Sequence, residues 1–261
     1  MLYADAINFV PTFVLAFFRL AGLMIMSPLF GSARIPKRMK ILFAGVTTLG
    51  VMGAIKQPVM FPDSLAALTI GLTGEFVFGL AMGTVASFTF IAAQWAGEMV
   101  GQQIGFNLSA VFDPQYGQAG TLVGDMYFML TLVIFLAING HHQLLQAVHE
   151  SFVTAPLLSL AFDRPLFDGI VDLFTGATIL AMRLAAPIFF TMLVVDLSMG
   201  VISRAMPQFN IMSAGMSLKT MIGITILLVG LVLTTDTLHD SLQETLNYIR
   251  VVWPAGGPTH G

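Results

Sequence analysis

Five charged residues, Arg19, Glu75, Arg183, Asp196 and Lys219, each interrupt a stretch otherwise apolar enough to cross a bilayer. A lone charge at the centre of a membrane helix costs roughly 2.5–3.5 kcal/mol on insertion scales. Five such charges are tolerated only where they face protein or water. The chain therefore reads as a membrane protein that buries polar positions against partners. Composition agrees: only 10% of the 261 residues are charged and 56% are hydrophobic, against roughly 25% charged in soluble domains. The net charge of −3 and the scattered basic residues leave no strip for nucleic acid. With no cysteine, disulfides and thiolate chemistry are excluded.

A membrane helix needs about 20 apolar residues to cross a hydrocarbon core of roughly 30 Å. Six apolar runs stand out, at 6–30, 41–55, 65–93, 122–138, 170–202 and 211–234. Pro11 interrupts the first and Pro187 the fifth. The first run follows no basic n-region and holds Arg19 where a signal peptide would be apolar, so it is expected to be retained as an anchor. Four basic residues at 34–40 place that loop on the cytoplasmic side. Strict alternation then puts the basic residues at 56, 164 and 250 outside, so some apolar runs are not ordinary spans. The 15-residue run at 41–55 suits a protein-buried helix or a half-crossing. The expected fold is all-α and a single domain over 1–261. Its last element is an amphipathic helix at about 237–253, begun by Thr237-x-x-Asp240 and striped by Leu238, Leu242, Leu246, Ile249 and Trp253.

Gly97, Gly101 and Gly105 recur at four-residue spacing beside Glu98, Gln102 and Gln103. On a helix they form a smooth ridge for close backbone approach, either within the chain or toward another subunit. The residues after it, 106–120, hold Asp113-Pro114, Gly117 and Gly120, which disfavour continued helix. Irregular backbone at membrane depth survives only buried in protein or lining an aqueous cavity. Phe106 and Phe112 are thus either obstructions in a cavity or parts of a loop folded over the protein surface.

These residues resemble a known family. Gly-Glu-Met-Val-Gly-Gln-Gln-Ile-Gly-Phe at 97–106, followed by Asp113-Pro114, is similar to the signature of the FliR family of flagellar export proteins. Ser27-Pro28-Leu29-Phe30-Gly31 with Ile35-Pro36-Lys37-Arg38 resembles that family's first loop. Phe135-Leu136-Ala137-Ile138-Asn139-Gly140-His141-His142 resembles its mid-chain Asn-Gly-His motif. Ser203-Arg204-Ala205-Met206-Pro207-Gln208-Phe209-Asn210, then Gly215 and Lys219, resembles its late Arg-x-x-Pro-Gln motif. The matches run in order from about residue 27 to 219. The Gly-Gln-Gln-Ile-Gly-Phe form favours the flagellar branch over the related injectisome subunits.

The resemblance implies bent helical hairpins in a helical hetero-oligomer with FliP and FliQ, wrapped by FlhB and beside FlhA. That assembly lies in the bacterial inner membrane at the flagellar basal body and admits unfolded flagellar subunits. It further implies a pore plug drawn from Phe106, Asn107, Phe112, Asp113, Pro114 and Gly117. No cofactor is implied, and energy would come from the proton-motive force and the export ATPase of the apparatus.

Other polar residues are read more plainly. His141 and His142 beside Asn139-Gly140 suit a membrane-edge turn better than a proton relay. His149-Glu150 lacks the second histidine of a zinc motif. The five intramembrane charges are expected to pair structurally, with proton-pathway roles for Glu75 and Asp196 as the alternative. Arg204 before Pro207 marks a helix break at an interface or membrane edge. No Walker loop, nucleophile elbow or zinc motif supports an enzyme. A secondary transporter needs related halves around a midplane site, and none is apparent.

Overall fold

Among the described residues the chain is helical with no strand. The computed structural model describes residues 2–31, 35–55, 64–106, 122–158, 164–206 and 211–251. Helix α1 is Leu2–Met26, α2 is Lys37–Val51, followed by a 3-10 turn at Met52–Ala54, and α3 is Leu65–Ile104. Then come α4 at Leu122–Ala137, α5 at Gly140–Thr154, α6 at Arg164–Ala205 and α7 at Ile211–Val251.

Among the described residues four helices are long and apolar enough to cross a membrane, at Phe9–Met26, Leu65–Ile104, Asp168–Ala205 and Gly215–Arg250. A fifth candidate is the bent pair α4 and α5, which meet at 67°. The six apolar runs thus do not give six spans. The run at 41–55 does not form a helix of its own bounds: the helix is Lys37–Val51, 15 residues that begin within the basic stretch expected to be loop, and it is too short to cross. Helices α3, α6 and α7 hold 40, 42 and 41 residues. At 1.5 Å per residue each is about 60 Å long, roughly twice the hydrocarbon thickness. Neither Pro11 nor Pro187 ends its helix, as neighbouring groups in membrane helices commonly absorb the missing donor.

The start expected at Thr237 is corrected. α7 runs through it without a break, and the Thr237 hydroxyl donates to the Leu233 carbonyl 2.9 Å away, the bond of an interior helical threonine. The apolar stripe is real, since Leu238, Leu242, Leu246 and Ile249 are all buried. Trp253 lies outside the described residues.

The chain divides into two compact units, one of 1–88, 136–174 and 243–261 and one of 89–135 and 175–242. In the first unit α1 and α3 lie side by side and parallel. Their contact is backbone on backbone. A Cβ at Gly79 would fall on the Arg19 carbonyl, and one at Gly22 on the Phe76 carbonyl. A Cβ at Gly83 would come within 2.7 Å of the Leu23 carbonyl. The Ser87 hydroxyl, one turn on, donates to the Met26 carbonyl. Leu15, Leu20, Leu23, Phe78, Met82, Val148 and Phe152 fill this core.

In the second unit the end of α3 packs antiparallel to α4. Phe90 meets Phe128 and Phe135 at ring centroid separations of 5.6 and 5.5 Å. Of the apolar span windows, 67% is buried on α3 but only 33% on α6 and 11% on α7. The last two helices therefore turn apolar side chains outward, among them Phe190, Val194, Leu197, Val229, Val232 and Leu233.

Candidate functional site

The first unit holds a polar centre that the membrane-like sequence around it makes conspicuous. Arg19, on α1, is 1% exposed, and Glu75, on α3, is 0% exposed. Arg19 Nε donates to Glu75 Oε2 at 2.6 Å. Its Nη1 donates to the Ser151 and Ala155 carbonyls at 3.2 and 3.1 Å and to Ser151 Oγ at 3.3 Å. The guanidinium lies between two rings, 4.7 Å from the centroid of Phe78 and 4.6 Å from that of Phe152, a cation–π sandwich. Glu75 Oε1 accepts the Leu158 backbone N–H at 2.9 Å.

Leu158 has φ 66°, a left-handed conformation rare for a bulky residue. The carboxylate thus holds a strained turn in place as well as neutralising the arginine. One ion pair ties α1, α3, α5 and the segment 155–158 together. Arg19 Nη2 is buried with no hydrogen-bond partner among the described residues.

The second unit holds the glycine ridge and the end of α3. Gly97 packs against α4, where a Cβ would come within 2.6 Å of Gly124 Cα and of the Val123 carbonyl. Gly101 is buried. Gly105 does something other than extend the ridge. Its φ is 95°, the Phe106 N–H donates to the Gly101 carbonyl, and the Gly105 N–H donates to the Gln102 carbonyl. That pattern is a Schellman C-cap with glycine at the left-handed position. Gly105 therefore stops α3 and aims the chain into residues 107–121.

Asn107, Phe112, Asp113, Pro114 and Gly117 lie outside the described residues, as does Pro207. Phe106 is partly buried at the turn. Substituting Gly105 with alanine is expected to cost about 1–2 kcal/mol through the left-handed backbone. Asparagine there should cost less. Thermal unfolding of the two variants in detergent checks the order.

The remaining charges differ from the expectation of burial. Lys219 Nζ lies 2.8 Å from Asp196 Oδ1, with side chains 25% and 43% exposed, and Gln103 Nε2 donates to Asp196 Oδ2 at 3.5 Å. This pair joins α6 to α7 but is half open. Arg183 is exposed on α6 and makes no ion pair among the described residues. It lies on the helices that turn apolar side chains outward, so this chain alone does not cover it. Arg204 is exposed in the last turn of α6, which ends at Ala205, before Pro207.

Asn139 takes φ 56° at the bend between α4 and α5, and the His142 N–H donates to its carbonyl. No group of three or more metal-ligating side chains gathers among the described residues.

The sequence reading missed the Gly22, Gly79 and Gly83 contact. Gly79 and Gly83 carry the same four-residue spacing as Gly97, Gly101 and Gly105, so the signal is present in the sequence. Leu158 carried none, because its strained turn depends on a carboxylate 83 residues earlier.

A sequence profile of the family described as bacterial export proteins, family 1, matches residues 10–245. The chain is 29% identical over 248 residues to the flagellar biosynthetic protein FliR of Bacillus subtilis, covering 94% of this chain and 95% of that protein. It is 25% identical over 237 residues to the protein of that name from Aquifex aeolicus, covering 91% and 92% of the two. For the Escherichia coli protein of that name the figures are 24% over 231 residues and 88% of each.

Proposed function

The chain belongs to family 1 of the bacterial export proteins, and on that premise we propose that it is a subunit of the flagellar protein export gate. It assembles with FliP and FliQ in the bacterial inner membrane, with FlhB and FlhA as neighbours, and the pore they form admits unfolded flagellar subunits. The observation that carries this reading is the length of the likeness. The family profile covers 10–245, and the matched relatives named FliR are covered over about nine-tenths of their own length.

The shape of the helices supports it. Three are about twice as long as a bilayer core requires. Two of them leave large apolar side chains exposed, a surface that lipid or other subunits must cover. Both oxygens of Glu75 are engaged within the chain, which favours a scaffold role for that carboxylate over a proton path. The chain then performs no bond chemistry. Its work is to hold a pore shut and let it open.

In this reading the plug is the segment beyond the C-cap at Gly105, from Phe106 through Asn107, Phe112, Asp113 and Pro114 to Gly117. Ending α3 by a rigid Schellman turn fixes where the plug leaves the helix. Deleting residues 111–117 is expected to leave the assembly intact but leaky to ions and small solutes. Conductance of membranes holding the assembled deletion variant checks this, and unchanged permeability would count against the plug.

A further inference from the structure

Helix α2 has its polarity reversed. Its inward face carries the small or short residues Ala44, Thr48 and Val51, packed toward α1, and Lys40 Nζ is pinned to the Gly31 carbonyl at 3.1 Å. Its outward face is apolar: Met39, Leu42, Val46 and Leu49 are each more than half exposed. Phe43, stacked on Phe30 at 4.6 Å, is still 40% exposed. All the charge is at one end. Lys37, Arg38 and Lys40 occupy the first turn, no acidic residue accompanies them, and the following eleven residues are uncharged. Lys37 and Arg38 are exposed and make no ion pair among the described residues.

At 15 residues the helix is about 22 Å long, short of the roughly 30 Å core. It cannot cross, yet its outer face is too apolar for water. Basic side chains in a helix's first turn also oppose its dipole, so a nearby anion relieves them. Apolar side chains along the shaft with cations gathered at one end complement one occupant well, a leaflet whose acyl chains meet the shaft and whose headgroups are anionic.

We infer that α2 is a half-inserted helix that selects anionic phospholipid, with Met39, Leu42, Val46 and Leu49 among the acyl chains and Lys37 and Arg38 at the headgroup phosphates. This goes beyond the export role and rests only on the chain being in a membrane, so it stands or falls apart from the gate reading.

The chain has no cysteine, so Val46→Cys gives a single labelling site on an exposed position. The full chain, labelled there with an environment-sensitive fluorophore, is placed in vesicles of phosphatidylcholine and phosphatidylglycerol at three to one. Bromine is carried on the acyl chains of one lipid or the other. Quenching by the brominated phosphatidylglycerol is expected to exceed that by brominated phosphatidylcholine at equal mole fraction. The preference should drop on the order of fivefold for each basic side chain removed in Lys37→Gln and Arg38→Gln, with acyl quenching retained.

Equal quenching by the two lipids overturns the selectivity, and that comparison needs no charge variant. Quenching by aqueous iodide puts α2 in water. Protection from lipid and iodide alike puts it under a second copy or a partner protein. Either of these overturns the proposal.

Discussion

Replacing Arg19 with leucine is expected to destabilise the chain by about 3–5 kcal/mol, because Glu75 is then left as an uncompensated charge in a dry core. Glu75→Leu should cost as much, stranding Arg19 between Phe78 and Phe152 and freeing the strained turn at Leu158. The double variant Arg19→Leu/Glu75→Leu is expected to be more stable than either single one. It removes both charges together, although the Leu158 N–H and the Ala155 carbonyl lose their partners, at about 1–3 kcal/mol for each group left unsatisfied, while the Ser151 carbonyl still accepts the Ala155 N–H. Thermal unfolding of the three variants in detergent reads this order directly. Losses that simply add would mean that the two residues do not act as a pair. Lys219→Ala is the control: its partner Asp196 is half exposed, and a pair of that kind contributes about 0–1 kcal/mol.

Gly79→Ala is the second large effect. One methyl group there meets the Arg19 backbone carbonyl, and no side-chain rotation can move a backbone out of the way. α1 and α3 must separate, and the 2.6 Å contact between Arg19 and Glu75 stretches with them. The expected loss is at or above the upper end of the roughly 1–3 kcal/mol typical of overpacking. Gly83→Ala should follow it. Gly176→Ala and Gly230→Ala are expected to be neutral or to stabilise by up to about 1 kcal/mol, since a Cβ at either meets nothing within 4 Å and alanine suits a helix interior better than glycine. Unfolding temperatures of the isolated chain should separate the two pairs of variants clearly.

The class of fold was legible because composition and run length leave no alternative to membrane helices. The identity of the family was legible because four short motifs occur in order. The buried ion pair was half legible. Charges inside apolar runs announced Arg19 and Glu75, but nothing in a linear sequence says which of five charges meet across 56 residues. Arg183 shows the limit of the same signal. A charge in an apolar run must be satisfied, yet the run does not say whether this chain or its surroundings do it.

Spacing misled in two places, each for a physical reason. Gly105 keeps the four-residue rhythm of Gly97 and Gly101, but rhythm cannot distinguish a packing glycine from one whose left-handed backbone ends the helix. Thr237-x-x-Asp240 has the composition of a helix start, but a start also needs the preceding turn to be non-helical. Here the apolar run at 211–234 carries the helix straight through. Thr237 then bonds backward to Leu233 instead of capping forward. Gly79 and Gly83 carry no polar mark, because neither has the adjacent charged or amide side chains that flank Gly97 and Gly101.

On the proposal above, this chain is one piece of a hetero-oligomeric gate. That claim is tested most directly by the native mass of the chain after mild-detergent co-purification with FliP and FliQ. The account predicts a single species containing all three proteins, and a chain that persists as a stable lone monomer in the presence of both would contradict it.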